Sequence, residues 1–153
     1  LKIKKRYWKE MKWILFFGWL GLIFSFSAQQ GSDSLELSNR FAIWMKQFFS
    51  TFAWIPFDWE FLVRKLAHFG LYFVLGAFAY WVSPEESKNR KRRIFCAFLL
   101  CILYAAFDEC HQLFVAGRDG KIMDVFLDGA GSFFGILIAY FIKRFLISRK
   151  TNL

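Results

Sequence analysis

Residues 94–112 read IFCAFLLCILYAAFDECHQ, from Ile94 to Gln112. The run Ile94–Phe107 carries no charge, and it ends in Asp108, Glu109, His111 and Gln112. On its other side stand Lys91, Arg92 and Arg93. A hydrocarbon core ~30 Å thick needs ~20 mostly apolar helical residues, so this stretch reads as a membrane helix, about 94–110, with a basic entry and a polar exit. Three further runs have the same character: about 13–28, 61–82 and 125–143. The first is WILFFGWLGLIFSFSA, short but nearly continuous. The shorter runs cross by borrowing flanking residues.

Composition agrees with this reading. The chain has 153 residues, 57% of them hydrophobic, with 22 Phe. A soluble four-helix protein is excluded, because too little polar sequence remains to coat its surface. The length suggests a single domain, 1–153. The expected fold class is all-α: an integral membrane bundle of four transmembrane helices plus one external amphipathic helix. That fifth helix is expected at about 35–53, where Leu37, Phe41, Trp44, Met45, Phe48, Phe49 and Phe52 recur at helical spacing. Ser34 is its expected N-cap and Pro56 its stop. Such a helix lies flat among headgroups, or packs on its own protein, or both.

Lys and Arg set the expected orientation. The arm Lys2–Lys12, the loop Lys88–Arg93 and the tail Lys143–Lys150 hold 15 of the 21 basic residues. The other face holds 6, together with 9 of the 12 acids. Both termini are therefore expected in the cytoplasm, in a multi-pass bacterial cytoplasmic membrane protein. The formal charge of +9 then reflects topology and anionic lipid rather than nucleic acid. The first run has the look of a signal peptide, with Ser25-Phe26-Ser27-Ala28 as a small-residue site. It is read as a retained anchor. Cys96, Cys101 and Cys110 have no motif spacing and read as small apolar fillers.

With that orientation, four polar clusters share the outer face: Ser25–Gln30, Arg64–His68, Asp108–Arg118 and Asp124–Asp128. Arg64, His68 and Tyr72 stand at i, i+4, i+8, with Lys65 beside them. Tyr104, Asp108, His111 and Gln112 share a face of the third span. Asp124 reads as an N-cap of the fourth span, and Asp128 lies one turn deeper, where capping does not explain it. Ionisable side chains inside a membrane are costly and mark function by default. Snorkelling accounts equally well for Arg64, and ion pairs from Asp108 or Glu109 to Arg64 or Lys65 are the structural alternative. Gly131-Ser132-Phe133-Phe134-Gly135 is a GxxxG pattern, read as close packing.

Asp108, Glu109 and His111 are the candidates for acid–base catalysis. Lys65, His68, Tyr72, Tyr104, Gln112, Arg118, Asp124 and Asp128 are the candidates for ligand binding. A divalent cation on His68, Asp108, His111, Asp124 and Asp128 is chemically apt, although no spacing demands a metal.

These motifs resemble the VanZ-like family. The matching stretches are Phe24-Ser25-Phe26-Ser27-Ala28-Gln29, Lys65-Leu66-Ala67-His68-Phe69-Gly70-Leu71-Tyr72, Tyr104 through Arg118, and Asp124 through Gly135. The Asp108–Gln112 block with Arg118 and Asp124 is the most specific. FSFSAQQ stands where the family has FSSQ, Ala116 replaces a common proline, and Asp128 stands where many members carry Asn. The family's first member is associated with low-level teicoplanin resistance. The resemblance implies a membrane location and a cell-envelope role. An accessory protein binding a lipid-linked cell-wall precursor or lipoglycopeptide at the outer leaflet is the preferred reading. A membrane enzyme on an envelope lipid, using His111 or Asp108 as base, and a purely structural polar core are the alternatives. A transporter is disfavoured because the polar groups stop near one face.

Overall fold

A computed structural model describes residues 2–48, 58–84 and 89–151. Its regular structure among the described residues is helical: α1 (Lys2–Ser27), α2 (Gly31–Phe48), α3 (Trp59–Val82), α4 (Arg90–Gln112) and α5 (Ile122–Thr151). Four of these are long and apolar enough to cross a membrane, over Glu10–Ser27, Trp59–Val82, Arg90–Gln112 and Ile122–Leu146. The expected end of the amphipathic helix at 53, the Pro56 turn and the pair Glu85-Glu86 lie outside the described residues.

Local chemistry sets the helix ends. Asp58 caps α3 by accepting from the Phe61 N–H at 2.9 Å. At the far end the Ser83 N–H and hydroxyl both donate to the Ala79 carbonyl, and Pro84 follows. The Asn89 side chain accepts from the Lys91 and Arg92 N–H groups at the start of α4. Two expected caps are corrected. α2 begins at Gly31, so Ser34 lies within its first turn. α5 begins at Ile122, so Asp124 lies inside the helix, where its carboxylate still faces the positive end of the dipole.

α3 and α5 form the most extensive helix pair. Glycines make the approach possible. A side chain at Gly131 would strike the Phe69 carbonyl at 2.5 Å, and one at Gly135 would overlap the Phe73 carbonyl. Gly76 meets the Ser132 backbone from the other side. The packing expected of the GxxxG pattern is what the helix pair uses. α4 packs on α5 and α3, α1 on α3, and α2 on the start of α3. Tyr72, Leu75, Cys101, Ala105 and Ile136 form the centre of the core. Cys101 fills it as expected, whereas Cys96 and Cys110 are exposed.

The outer surface is apolar. Phe95, Leu103, Phe107, Phe126, Phe134 and Phe141 are all more than 50% exposed. A water-soluble protein would hide so large a patch, and lipid is its natural solvent.

Candidate functional site

The four polar clusters meet at one end of the bundle, tied together by named contacts. The Lys65 ammonium of α3 pairs with the Asp124 carboxylate of α5. One turn deeper, His68 Nδ1 lies 3.3 Å from Asp128 Oδ1. From α4, Glu109 Oε2 accepts the Lys121 N–H at 2.7 Å, and the Gln112 amide bridges Glu109 Oε1 and Asp108 Oδ2 at 3.3 and 3.4 Å. The alternative ion pairs from Asp108 or Glu109 to Arg64 or Lys65 do not form among the described residues; Lys65 is taken by Asp124.

The turn after α4 completes the end. Gly117 has φ +73°, a conformation that suits glycine alone. The Gly31 N–H donates to Ala116 at 3.0 Å, and the backbones of Gly31 and Gly117 touch with no room for a side chain. This closure swings Arg118 inward. Its Nε donates to the Gln29 carbonyl at 3.2 Å and its Nη2 to the Phe26 carbonyl at 2.8 Å, which satisfies the open end of α1. Burial, with help from the nearby Arg64 guanidinium, lowers the Arg118 pKa from its ordinary value, while Asp108 and Glu109 act in the opposite sense.

Beside these groups is a cavity of about 390 Å³. Its walls are apolar, with Trp19, Ile23 and Phe26 from α1 and Leu37 and Phe41 from α2. Its polar lining holds Ser27, Arg64, His68, Asp108, Gln112 and Arg118. Arg64 lines the cavity as a half-buried guanidinium.

The polar groups are deeply buried. Asp108, Glu109, Gln112, Asp124 and Asp128 are each under 10% exposed, and Asp128 is at 0%. Both Asp128 oxygens, Asp108 Oδ1 and the hydroxyls of Ser27, Tyr72 and Ser132 have no hydrogen-bond partner. Burying a polar group without a hydrogen bond costs ~1–3 kcal/mol. Several of them would consume much of a ~5–15 kcal/mol stability unless something else compensates them.

Two sequence candidates are engaged elsewhere. The Tyr104 hydroxyl donates to the Leu20 carbonyl at 2.7 Å, pinning α1 to α4. The His111 ring packs on Phe24 with centroids 4.7 Å apart. Neither lines the cavity. Ser27 and Ser132 are polar participants that the sequence did not single out, and Arg64, weighed there equally as a snorkelling residue, lines the cavity. Ser132 was hidden inside the GxxxG pattern, and Ser27 inside the FSFSAQQ stretch. A polar residue beside a packing motif is the signal available for Ser132.

The arrangement can hold an anionic headgroup beside apolar walls, can support proton transfer at His68–Asp128, and sets three metal-competent donors close together. No curated protein and no solved structure matches the chain. The family model described as VanZ/LLP1 matches residues 12–143, most of the chain. With its four membrane-competent helices, the chain belongs to the VanZ/LLP1 family of membrane proteins.

Proposed function

We propose that this protein binds the anionic headgroup of an amphiphile at the outer leaflet of a bacterial cytoplasmic membrane. A lipid-linked cell-wall precursor or a lipoglycopeptide of the teicoplanin class is the matching chemistry, and a contribution to glycopeptide resistance follows from capturing either. The observation that carries the reading is the cavity of about 390 Å³, apolar along its walls and lined by Arg64, His68 and Arg118. Its volume lies in the ~300–1,000 Å³ range of small-molecule sites. Arg64 offers a forked donor to phosphate or carboxylate. Lys65, expected in that role, is already paired with Asp124, and Arg118 shares its donors with two backbone carbonyls.

The test uses purified full-length chain in lipid nanodiscs, titrated with teicoplanin and with a polyprenyl pyrophosphate. Arg64→Ala is expected to weaken binding ~10–100-fold, the equivalent of a charged hydrogen bond worth ~1.5–3 kcal/mol. Equal affinity of Arg64→Ala and wild type, or no binding of either probe, sinks the reading. Susceptibility to teicoplanin, measured in a Gram-positive host with membrane abundance alongside, then connects binding to phenotype.

A second reading is a membrane enzyme acting on an envelope lipid. His68 Nδ1 at 3.3 Å from Asp128 is the observation that favours it, because a carboxylate can orient an imidazole as a general base. A polar core that serves assembly alone fits less well, since such a core satisfies its buried polar atoms and this one leaves several unpartnered.

A further inference from the structure

Three helices bring one imidazole and two carboxylates to a single point. His68 of α3, Glu109 of α4 and Asp128 of α5 each present a donor atom, and these atoms lie within 4.8 Å of one another. Two donors bound at ~2.1 Å on opposite sides of one ion stand ~4.2 Å apart. Three donors around a tetrahedral ion stand ~3.4 Å from one another, so shifts of up to about 1 Å per side chain bring all three to bonding distance.

Charge points the same way. Asp128 is 0% exposed and neither of its oxygens accepts a hydrogen bond. A buried carboxylate in that state needs a cation, and the His68 imidazole 3.3 Å away supplies one only when protonated. Lys65 is engaged by Asp124, and Arg118 by the Phe26 and Gln29 carbonyls. A doubly charged ion neutralises Glu109 and Asp128 together, and it accepts His68 in its neutral form, the form in which imidazole ligates.

The surroundings resemble an outer coordination shell. The Lys121 N–H and the Gln112 amide hold Glu109 from behind, and Gln112 also bonds Asp108. Bonds of this kind orient ligating carboxylates in metal proteins. The donor set is one nitrogen and two oxygens with no thiolate, which suits a divalent first-row ion rather than a soft one.

The geometry points to a site for a divalent transition-metal ion of the zinc or manganese kind, held by His68, Glu109 and Asp128. This inference does not rest on amphiphile binding, and its test uses no amphiphile.

The full-length protein is purified in detergent, stripped with chelator, loaded with Zn²⁺ or Mn²⁺, desalted and assayed for bound metal. Wild type is expected to retain about one ion per chain, and Glu109→Gln and Asp128→Asn to lose most of it. Gln112→Ala, which alters only the outer shell, is expected to weaken affinity ~10–100-fold. A Cys96→Ala/Cys110→Ala variant is expected to keep the ion, since the exposed thiols are not its ligands. Should a carboxylate variant fail to fold, the paramagnetic resonance of Mn²⁺ on intact wild type decides instead: an immobilised signal that stoichiometric Zn²⁺ displaces supports the site. Wild type retaining no metal, folded Glu109→Gln and Asp128→Asn retaining wild-type stoichiometry, or metal lost with the two cysteines overturns it.

Discussion

Two side chains of α3 at the polar end act across helices, Lys65 on Asp124 and His68 on Asp128. The Lys65 and Asp124 side chains are 21% and 13% exposed, so their attraction is only partly screened. Each becomes a liability without the other. Lys65→Met leaves an acid facing the bundle, and Asp124→Asn leaves a cation there. Both single variants are expected to unfold more readily than wild type in a detergent titration. The double variant should lose less than the two singles together, with a coupling of ~1–3 kcal/mol. Strict additivity would show that the pair contributes nothing. Helical spacing in the sequence turned Lys65 and His68 to one face and Asp128 inward, but spacing fixes a face and not a partner. Lys65 pairs with Asp124, rather than with the alternative partners Asp108 or Glu109, because α3 and α5 pack so closely. That closeness comes from Gly131 and Gly135, whose pattern was readable while its consequence for charge pairing was not.

At the scale of the element, α2 divides its surface three ways. Gly31, Ser38 and Ala42 are buried against the protein, and small residues there let the helix lie close. Leu37 and Phe41 face the cavity, while Ile43, Trp44 and Phe48 remain 59–71% exposed. Asn39 and Lys46 are exposed on the remaining side, and Arg40 and Glu36 form an exposed i,i+4 pair at 2.7 Å beside Trp44. The helix therefore roofs the cavity and offers a greasy edge to its surroundings, as an interfacial helix does. Spin labels test this in a chain whose own cysteines are replaced. A label at Trp44→Cys should collide readily with lipid-dissolved oxygen, and one at Asn39→Cys, on the opposite side of the helix, with a water-soluble relaxing agent. Equal access of both labels to the aqueous agent would place α2 free of the membrane. The apolar period of this helix was legible in the sequence, whereas its start was not. Ser34 has the right chemistry for a cap, but the hydrogen bond from Gly31 to Ala116 draws the helix start four residues earlier, from 35 to 31, and contacts that distant in sequence leave no local signal.

For the whole molecule, the two ends of the bundle differ in charge, and that difference decides which leaflet the cavity serves. At the end opposite the site, the Arg93 guanidinium donates to the Tyr80 carbonyl at 2.7 Å and stacks over its ring, and Arg90 donates to the Tyr140 hydroxyl at 3.0 Å. Arginine beside tyrosine is the usual furniture of a membrane–water boundary. Most of the 21 basic residues lie in segments that lead to this end, while 9 of the 12 acids lie in those leading to the other. Under the positive-inside rule both termini are expected in the cytoplasm and the cavity towards the outer leaflet. The structure contains no membrane, so topology reporters must supply this direction. A fluorescent protein fused after Leu153 should fold and glow, and alkaline phosphatase inserted at Asp119, in the exposed turn beside Gly117, should be active. Adding lysines at that turn while removing Arg92 and the nearby basic residues should weaken both signals together, because the rule counts charge on short loops. The reverse pattern in the unaltered chain would turn the cavity to the cytoplasmic leaflet. An extracellular lipoglycopeptide could not reach it there, whereas the His68–Glu109–Asp128 cluster, buried between helices, would stand in either orientation.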